Sequence, residues 1–189
     1  MLELSSYIVD LKEALNNTIV TDIEGKVIPM DDGMNSFKTI SMDTREKQGF
    51  LFFAGNGASA TMSSHMAADS QKNGGFRAMA FNDAALLTAI SNDVSYNQIF
   101  AMPIEKYAGT DDILITISSS GNSPNVIEAI KAARAKNIKI VTLSSMKPDN
   151  KSRQLGDLNF YVPADTYGYA ECAHQVLLHC WLDKVMELD

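Results

Sequence analysis

The stretch from Leu51 to Asp69, LFFAGNGASATMSSHMAAD, most constrains what this chain can become. Leu51, Phe52 and Phe53 form a short apolar run that reads as a buried strand. Gly55-Asn56-Gly57-Ala58-Ser59 then turns the chain, and Ala60 to Lys72 reads as a helix. Glycines let backbone N–H groups approach a ligand closely, and a helix N-terminus carries partial positive charge. Together they make an anion site, most often for phosphate. Four residues apart on the new helix, His65 and Asp69 share a face. One end of this element can hold a phosphate while the next turns present an imidazole and a carboxylate.

From residue 50 onward the same strand–loop–helix pattern repeats. Strands are predicted at Phe50–Ala54, Arg77–Phe81, Asp112–Ser118, Ile138–Leu143 and Asn159–Val162. Between them, helices are predicted at Ala60–Lys72, Asp83–Ile90, Tyr96–Tyr107, Pro124–Lys136 and Tyr169–Leu188. Asn73-Gly74-Gly75 stops the first of these, Asn82 or Asp83 caps the second, and Ser123 caps the fourth ahead of Pro124. The run DILITIS is almost continuously apolar, as at the centre of a parallel sheet. Alternating strands and helices predict an α/β fold, a parallel five-stranded sheet covered on both faces.

The first 49 residues fit that pattern less well. Apolar residues at Leu2, Ile8, Val9, Leu11, Leu15 and Ile19 have helical spacing, so a helix is predicted over 1 to about 20. A weaker polar stretch follows, with Asp31-Asp32-Gly33 as a turn and a second helix over Met34–Lys47. Residues 1–49 then form an N-terminal helical extension, packed outside the sheet or against another subunit. No repeat, linker or low-complexity tract interrupts the 189 residues, so the whole chain is one domain.

Composition excludes several functions. Hydrophobic residues make up 46% and charged residues 21%, which is ordinary globular usage rather than that of a disordered chain. The net charge of −7, with no basic stripe, argues against a nucleic-acid partner. No run approaches the roughly 18 apolar residues of a membrane span. The N-terminus lacks a basic start followed by an apolar core, so a cytoplasmic location is expected. Cys172 and Cys180 lie eight residues apart on one predicted helix, ~12 Å along its axis, too far for a disulfide. They read as small buried hydrophobes, and the ten methionines as core or interface filler.

A second anion loop, Ser118-Ser119-Ser120-Gly121-Asn122-Ser123, follows the most apolar strand and precedes a helix. Ligands in open α/β sheets bind outside the carboxyl ends of the strands, where both loops belong. Neither loop is a dinucleotide fingerprint or a P-loop, which favours a phosphorylated metabolite over a nucleotide. Beyond the His65–Asp69 pair, Glu171 and His174 stand three apart, and His179 lies further along the same predicted helix. Histidine beside a carboxylate suits acid/base work or a divalent metal. Glu171 and His179 are ~12 Å apart in helical rise, so one straight helix cannot bring both to a single ion. Either the helix starts after Glu171, or neighbouring subunits share the site. Asn92 and Asp93 sit in a polar loop, as a helix cap or as a hydrogen-bonding partner for a sugar hydroxyl.

The motifs G-N-G-A-S-A, with a histidine six residues after Ser59, A-I-S-N-D and I-S-S-S-G-N-S-P-N-V resemble the sugar isomerase (SIS) domain. More closely they resemble the phosphoheptose isomerases, which interconvert sedoheptulose 7-phosphate and a glycero-manno-heptose 7-phosphate. The resemblance runs over about residues 50 to 188. It implies a three-layer αβα sandwich of flavodoxin-like type and a homotetramer with active sites between subunits. It also implies that Asn56, Gly57, Ala58 and Ser59 contact substrate, that Ser118, Ser119, Ser120 and Ser123 hold the phosphate, and that Asn92 and Asp93 contact the sugar chain. His65, Asp69, Glu171 and His179 fall where members of the family bind zinc, and Asp69 and His179 where the catalytic acid/base pair sits.

Two departures from the family pattern bear on the chemistry. The family usually has glutamate at the position of Asp69 and glutamine at that of Glu171. Losing a methylene draws the Asp69 carboxylate back by about 1.3 Å, and catalytic geometry is sensitive on that scale. Glu171 adds a negative charge that would tighten a divalent metal or take over as base, and it too belongs among the substrate-binding candidates. The segment Asp165-Thr166-Tyr167-Gly168-Tyr169 also departs from the usual threonine-alanine-arginine sequence ahead of the last helix. The implied mechanism is proton transfer between C1 and C2 through an enediol by Asp69 or Glu171, with His179 handling the hydroxyl proton. In that reading the enzyme serves heptose and surface-polysaccharide precursor synthesis. The alternatives are an isomerase of another sugar phosphate and a non-catalytic SIS protein that binds a sugar phosphate or a protein. Retention of ionisable groups at every acid/base position favours an enzyme.

Overall fold

In chain order the elements are α1 (Leu4–Asn16), β1 (Ile19–Asp22), β2 (Val27–Ile28), α2 (Met30–Glu46), β3 (Phe50–Gly55), α3 (Ala58–Lys72) and β4 (Arg77–Ala80). They continue with α4 (Ala84–Asp93), α5 (Ala101–Tyr107), β5 (Ile113–Ser118), α6 (Pro124–Ala135), β6 (Lys139–Ser144), β7 (Leu158–Tyr161) and α7 (Tyr167–Met186). The structure is a computed structural model that describes residues 3–187; the predicted helical positions Leu2 and Leu188 lie outside the described residues.

The strands form one sheet in the order β2-β1-β7-β6-β5-β3-β4. Its five-stranded parallel core, β7 to β4, is the one that the alternation predicts. The sheet nevertheless has seven strands, because β1 pairs antiparallel to β7 and β2 antiparallel to β1. The stretch read as the end of a helix and a weaker polar stretch is therefore a hairpin. Val20 is buried opposite Phe160, and Asp22 Oδ1 closes the turn by accepting from the backbone N–H groups of Glu24 (3.0 Å) and Lys26 (2.9 Å).

Asp31-Asp32-Gly33 is not a turn but the first turn of α2. The two carboxylates suit the positive end of the helix, and Gly33 lies so close to Val20 that a Cβ would meet its side chain at 2.7 Å. The helix predicted over Tyr96–Tyr107 is broken. A 3-10 turn at Tyr96–Gln98 precedes α5, whose Pro103 can sit only in a first turn. Asn92 and Asp93 belong to the last turn of α4 rather than to a loop, and Asp83 caps that helix by accepting from the Leu86 N–H at 2.9 Å.

Helices α2, α3 and α7 cover one face of the sheet, and α5 and α6 pack against the other. On the first face Trp181 is fully buried, stacked on Phe37 with ring centroids 4.5 Å apart, and its indole N–H donates to Ser41 Oγ at 3.1 Å. Truncating such a ring costs about 3–5 kcal/mol, which pins α7 to α2. The N-terminal end of α7 is held by α1, because Tyr169 stacks on Tyr7 at 4.3 Å and donates its hydroxyl to Asp10 Oδ2 at 3.0 Å. The inner face of α7 is filled by Ala173, Leu177, Leu178 and Trp181. Cys172 and Cys180 therefore fall on the outer face with Val176 and are exposed, not buried as predicted.

Candidate active site

Because β3 and β5 are neighbours in register, with Gly55 opposite Ile117, the loops that follow them emerge side by side at the carboxyl end of the sheet. Gly57 initiates α3 with φ 57° and ψ −125°, a conformation closed to side-chain-bearing residues. Gly121 has φ +60°, and a Cβ there would run into the Asn150 side chain. The segment after β6 clamps the serine loop: Ser152 N–H donates to the Gly121 carbonyl at 2.9 Å and Lys151 N–H to Asn122 Oδ1 at 3.1 Å.

Between the two loops lies a cavity of about 250 Å³. Asn56, Gly57, Ala58 and Ser59 line one side and Ser118, Ser119, Ser120 and Ser123 the other, with Glu171 of α7 at the border. The sequence reading placed all nine there. The backbone N–H groups of Gly57, Ser119 and Ser120 have no acceptor among the described residues. The N-termini of α3 and α6 flank the cavity, and among the described residues no lysine, arginine or histidine lines it. Glu171 is its single ionisable carboxylate. The cavity can thus hold an anion by hydroxyls, amides and helix ends alone.

Two lining residues were not anticipated, Ile117 and Tyr167. Tyr167 lies in the segment whose departure from the family pattern was the available signal. Asn92 and Asp93 do not line this cavity; they are exposed, with Asn92 Nδ2 donating to Asp93 Oδ1 at 2.7 Å. Tyr96, three residues beyond, reaches the site instead, its hydroxyl donating to Asn56 Oδ1 at 3.1 Å.

A second cluster forms where α3 meets α7. The donor atoms of His65, Asp69 and His179 all lie within 4.8 Å of one another, and the two imidazoles are 5.3 Å apart, centroid to centroid. His65 Nε2 to Asp69 Oδ2 is 3.4 Å, close to the about 3.3 Å between two ligands at tetrahedral angles around zinc. Two imidazoles and one carboxylate, partly open to solvent, fit a three-ligand site with a free position. Glu171 is not part of this cluster. The last helix begins at Tyr167, not after Glu171, so Glu171 and His179 sit on one helix, separated by ~12 Å of rise.

His174 is neither ligand nor partner to Glu171. It is fully buried on the inner face of α7, and neither ring nitrogen has a hydrogen-bond partner among the described residues. Burial lowers its pKa to about 4, with the Ser144 backbone pulling the other way.

Residues 29–145 match the SIS domain family model. The chain is 33% identical over 181 residues to a phosphoheptose isomerase of Helicobacter pylori, covering 92% of this chain and 89% of that one. It is also 33% identical over 148 residues to a phosphoheptose isomerase of Thiobacillus denitrificans, covering 74% and 75%. Among solved structures, a phosphoheptose isomerase from Francisella tularensis superimposes with a TM-score of 0.84 at 23% identity, over 100% of both chains. That last likeness is one of fold.

Proposed function

The chain belongs to the phosphoheptose isomerases of the SIS-domain family, and on that premise we propose that it interconverts sedoheptulose 7-phosphate and a glycero-manno-heptose 7-phosphate. In this reading it is an aldose–ketose isomerase in heptose and surface-polysaccharide precursor synthesis. The observation that carries it is the cavity at the strand ends, where a cradle of neutral donors meets one carboxylate, Glu171.

The phosphate accepts hydrogen bonds from the hydroxyls of Ser118, Ser119, Ser120 and Ser123 and from the free amides of Gly57, Ser119 and Ser120. The Asn56 side chain adds a donor to the same anion, and Ala58 and Ser59 hold the adjoining substrate atoms. The dianion is offset by the ends of α3 and α6, so no cation is needed. Glu171 then removes the proton from the carbon next to the carbonyl and returns it to the neighbouring carbon through an enediol. Its position on the cavity wall favours it over Asp69, which lies against His65. Such a base contributes about 10²–10⁴-fold. His179 carries the hydroxyl proton between the two oxygens.

His65, Asp69 and His179 are the residues that would hold zinc, which when bound polarises a carbonyl and stabilises an enediolate. Glu171 and His179 stand two turns apart on α7, so both can serve one substrate only if the cluster of one chain faces the cavity of another. A homotetramer with shared sites does this. Its support is the exposed apolar stripe of Cys172, Val176 and Cys180 beside His179, and the exposed Leu4, Ile8 and Val9 on α1. No helix among the described residues is long and apolar enough to cross a membrane, consistent with the proposed cytoplasmic location.

The test is an isomerase assay on sedoheptulose 7-phosphate with added zinc, repeated after chelation. Turnover lost on chelation supports the metal reading, and turnover unchanged leaves the cluster as acids and bases. Full turnover by both Asp69→Asn and Glu171→Gln would sink the proton-transfer mechanism. A folded tetramer with no turnover in either condition shifts the substrate to another sugar phosphate.

A further inference from the structure

Asn125, the second residue of α6, is 1% exposed and lines no part of the cavity. Both ends of its side-chain amide are nevertheless bonded to a residue that does. Asn125 Oδ1 accepts from Asn56 Nδ2 at 2.9 Å and from the Val126 backbone N–H at 2.9 Å. Asn125 Nδ2 donates to Asn56 Oδ1 at 2.8 Å. A backbone N–H can only donate, so Val126 dictates which end of the Asn125 amide is oxygen. The reciprocal pair passes that sense on to Asn56.

The rest follows by counting donors and acceptors. Asn56 Oδ1 is filled by two donors, Asn125 Nδ2 and the Tyr96 hydroxyl at 3.1 Å. Asn56 Nδ2 has two hydrogens and gives one to Asn125, which leaves one. Asn56 lines the cavity, so the group it can offer there is a donor and never a carbonyl.

We propose that Asn125 is a positioning residue: through Asn56 it holds an amide N–H ready for the oxygen of an anionic or hydroxyl-bearing substrate, and Tyr96 braces the same amide from the other side. The pair also ties the loop after β3 to the start of α6, fixing the spacing of the two halves of the cradle. This rests on the isomerase reading above for its kinetic readout and on anion binding for its thermodynamic one.

The experiment is a cycle of Asn125→Ala, Asn56→Ala and the double variant. Inorganic phosphate affinity is read by calorimetry, and KM and kcat on sedoheptulose 7-phosphate in parallel. Asn125→Ala adds no charge and leaves the Val126 N–H its second acceptor, the Ser123 carbonyl at 3.0 Å. Hydrogen bonds to charged groups set the scale, so Asn56→Ala is expected to raise KM and the phosphate Kd about tenfold with kcat within threefold. Asn125→Ala is expected to raise them about fivefold in the parent chain and not at all in Asn56→Ala. Equal effects in both backgrounds, or none in either, overturn the proposal. If Asn125→Ala does not fold, Tyr96→Phe replaces it, with an expected two- to threefold loss that also vanishes in Asn56→Ala. A parent chain that binds phosphate without turnover overturns the isomerase reading, and the positioning role is then decided on phosphate Kd alone. One that binds no phosphate overturns both.

Discussion

Helix α7 serves two sites built in opposite ways. Near its start, Glu171 borders a cavity made from backbone amides, hydroxyls and two helix ends, all fixed by strand pairing and by the clamp on Gly121. Two turns later, His179 meets His65 and Asp69 in a cluster made only of side chains, those of His65 and Asp69 being 49% and 24% exposed. The first is organised before any ligand arrives, at the cost of glycines in restricted conformations. The second depends on side-chain rotamers at a partly exposed surface. Rigid geometry thus goes to the anchoring of the anion, and adjustable geometry to the cluster beside it.

The largest effect that can test this contrast is on turnover. Glu171→Gln is expected to lower kcat by about 10²–10⁴-fold, while phosphate affinity, measured by calorimetry, holds or rises because the cavity loses its one negative charge. Weakened phosphate binding would mean that Glu171 builds the cradle rather than reacting beside it. Next comes the rigidity of the cradle. Gly121→Ala combines a positive φ with a collision against Asn150, and is expected to cost about 3 kcal/mol of stability, measured by urea unfolding, and most of the phosphate affinity. A neutral result would show the loop to be as adjustable as the histidine cluster.

A third effect lies on the helix that joins the sites. His174 is held neutral by burial, so the unfolded chain takes up a proton near pH 6.5 that the native chain refuses until about 4. Stability is therefore fully present above about pH 6.5 and is lost as pH falls toward 4, by up to about 3 kcal/mol. Thermal midpoints against pH should show that slope, and His174→Met should flatten it. The smallest effect distinguishes the sites by ligand. Asp69→Asn is expected to weaken zinc binding at least tenfold, measured by calorimetry, and to leave inorganic phosphate binding untouched.

How much of this the sequence displayed follows from how local each feature is. The glycine and serine loops are contiguous and follow apolar strands, so both could be placed from residue order alone. The parallel core was legible for the same reason, since each strand announces itself in a run such as ILITIS. Features that depend on distant partners were not. Val20 becomes a strand residue only by pairing with Phe160, and the amide pair of Asn56 and Asn125 joins positions 69 apart. His65 and Asp69 share a helix face and were visible as a pair, but the contact with His179 needs α3 packed on α7. Glu171 was expected both in that cluster and among the substrate-binding residues, and the rise of α7 leaves it at the cavity only. The cysteines were misjudged because the usual burial of a free cysteine says nothing about which side of its helix faces inward.

The hairpin of β1 and β2 has a consequence for how the protein behaves in a crowded solution. Without it the parallel core would end at β7, with a row of unpaired backbone groups able to recruit a strand from another chain. With it, the outermost strand is only the two residues Val27 and Ile28, next to the charged turn of Glu24 and Lys26. A foreign strand finds too little backbone there to grow on. On this side the sheet therefore ends by running out of template.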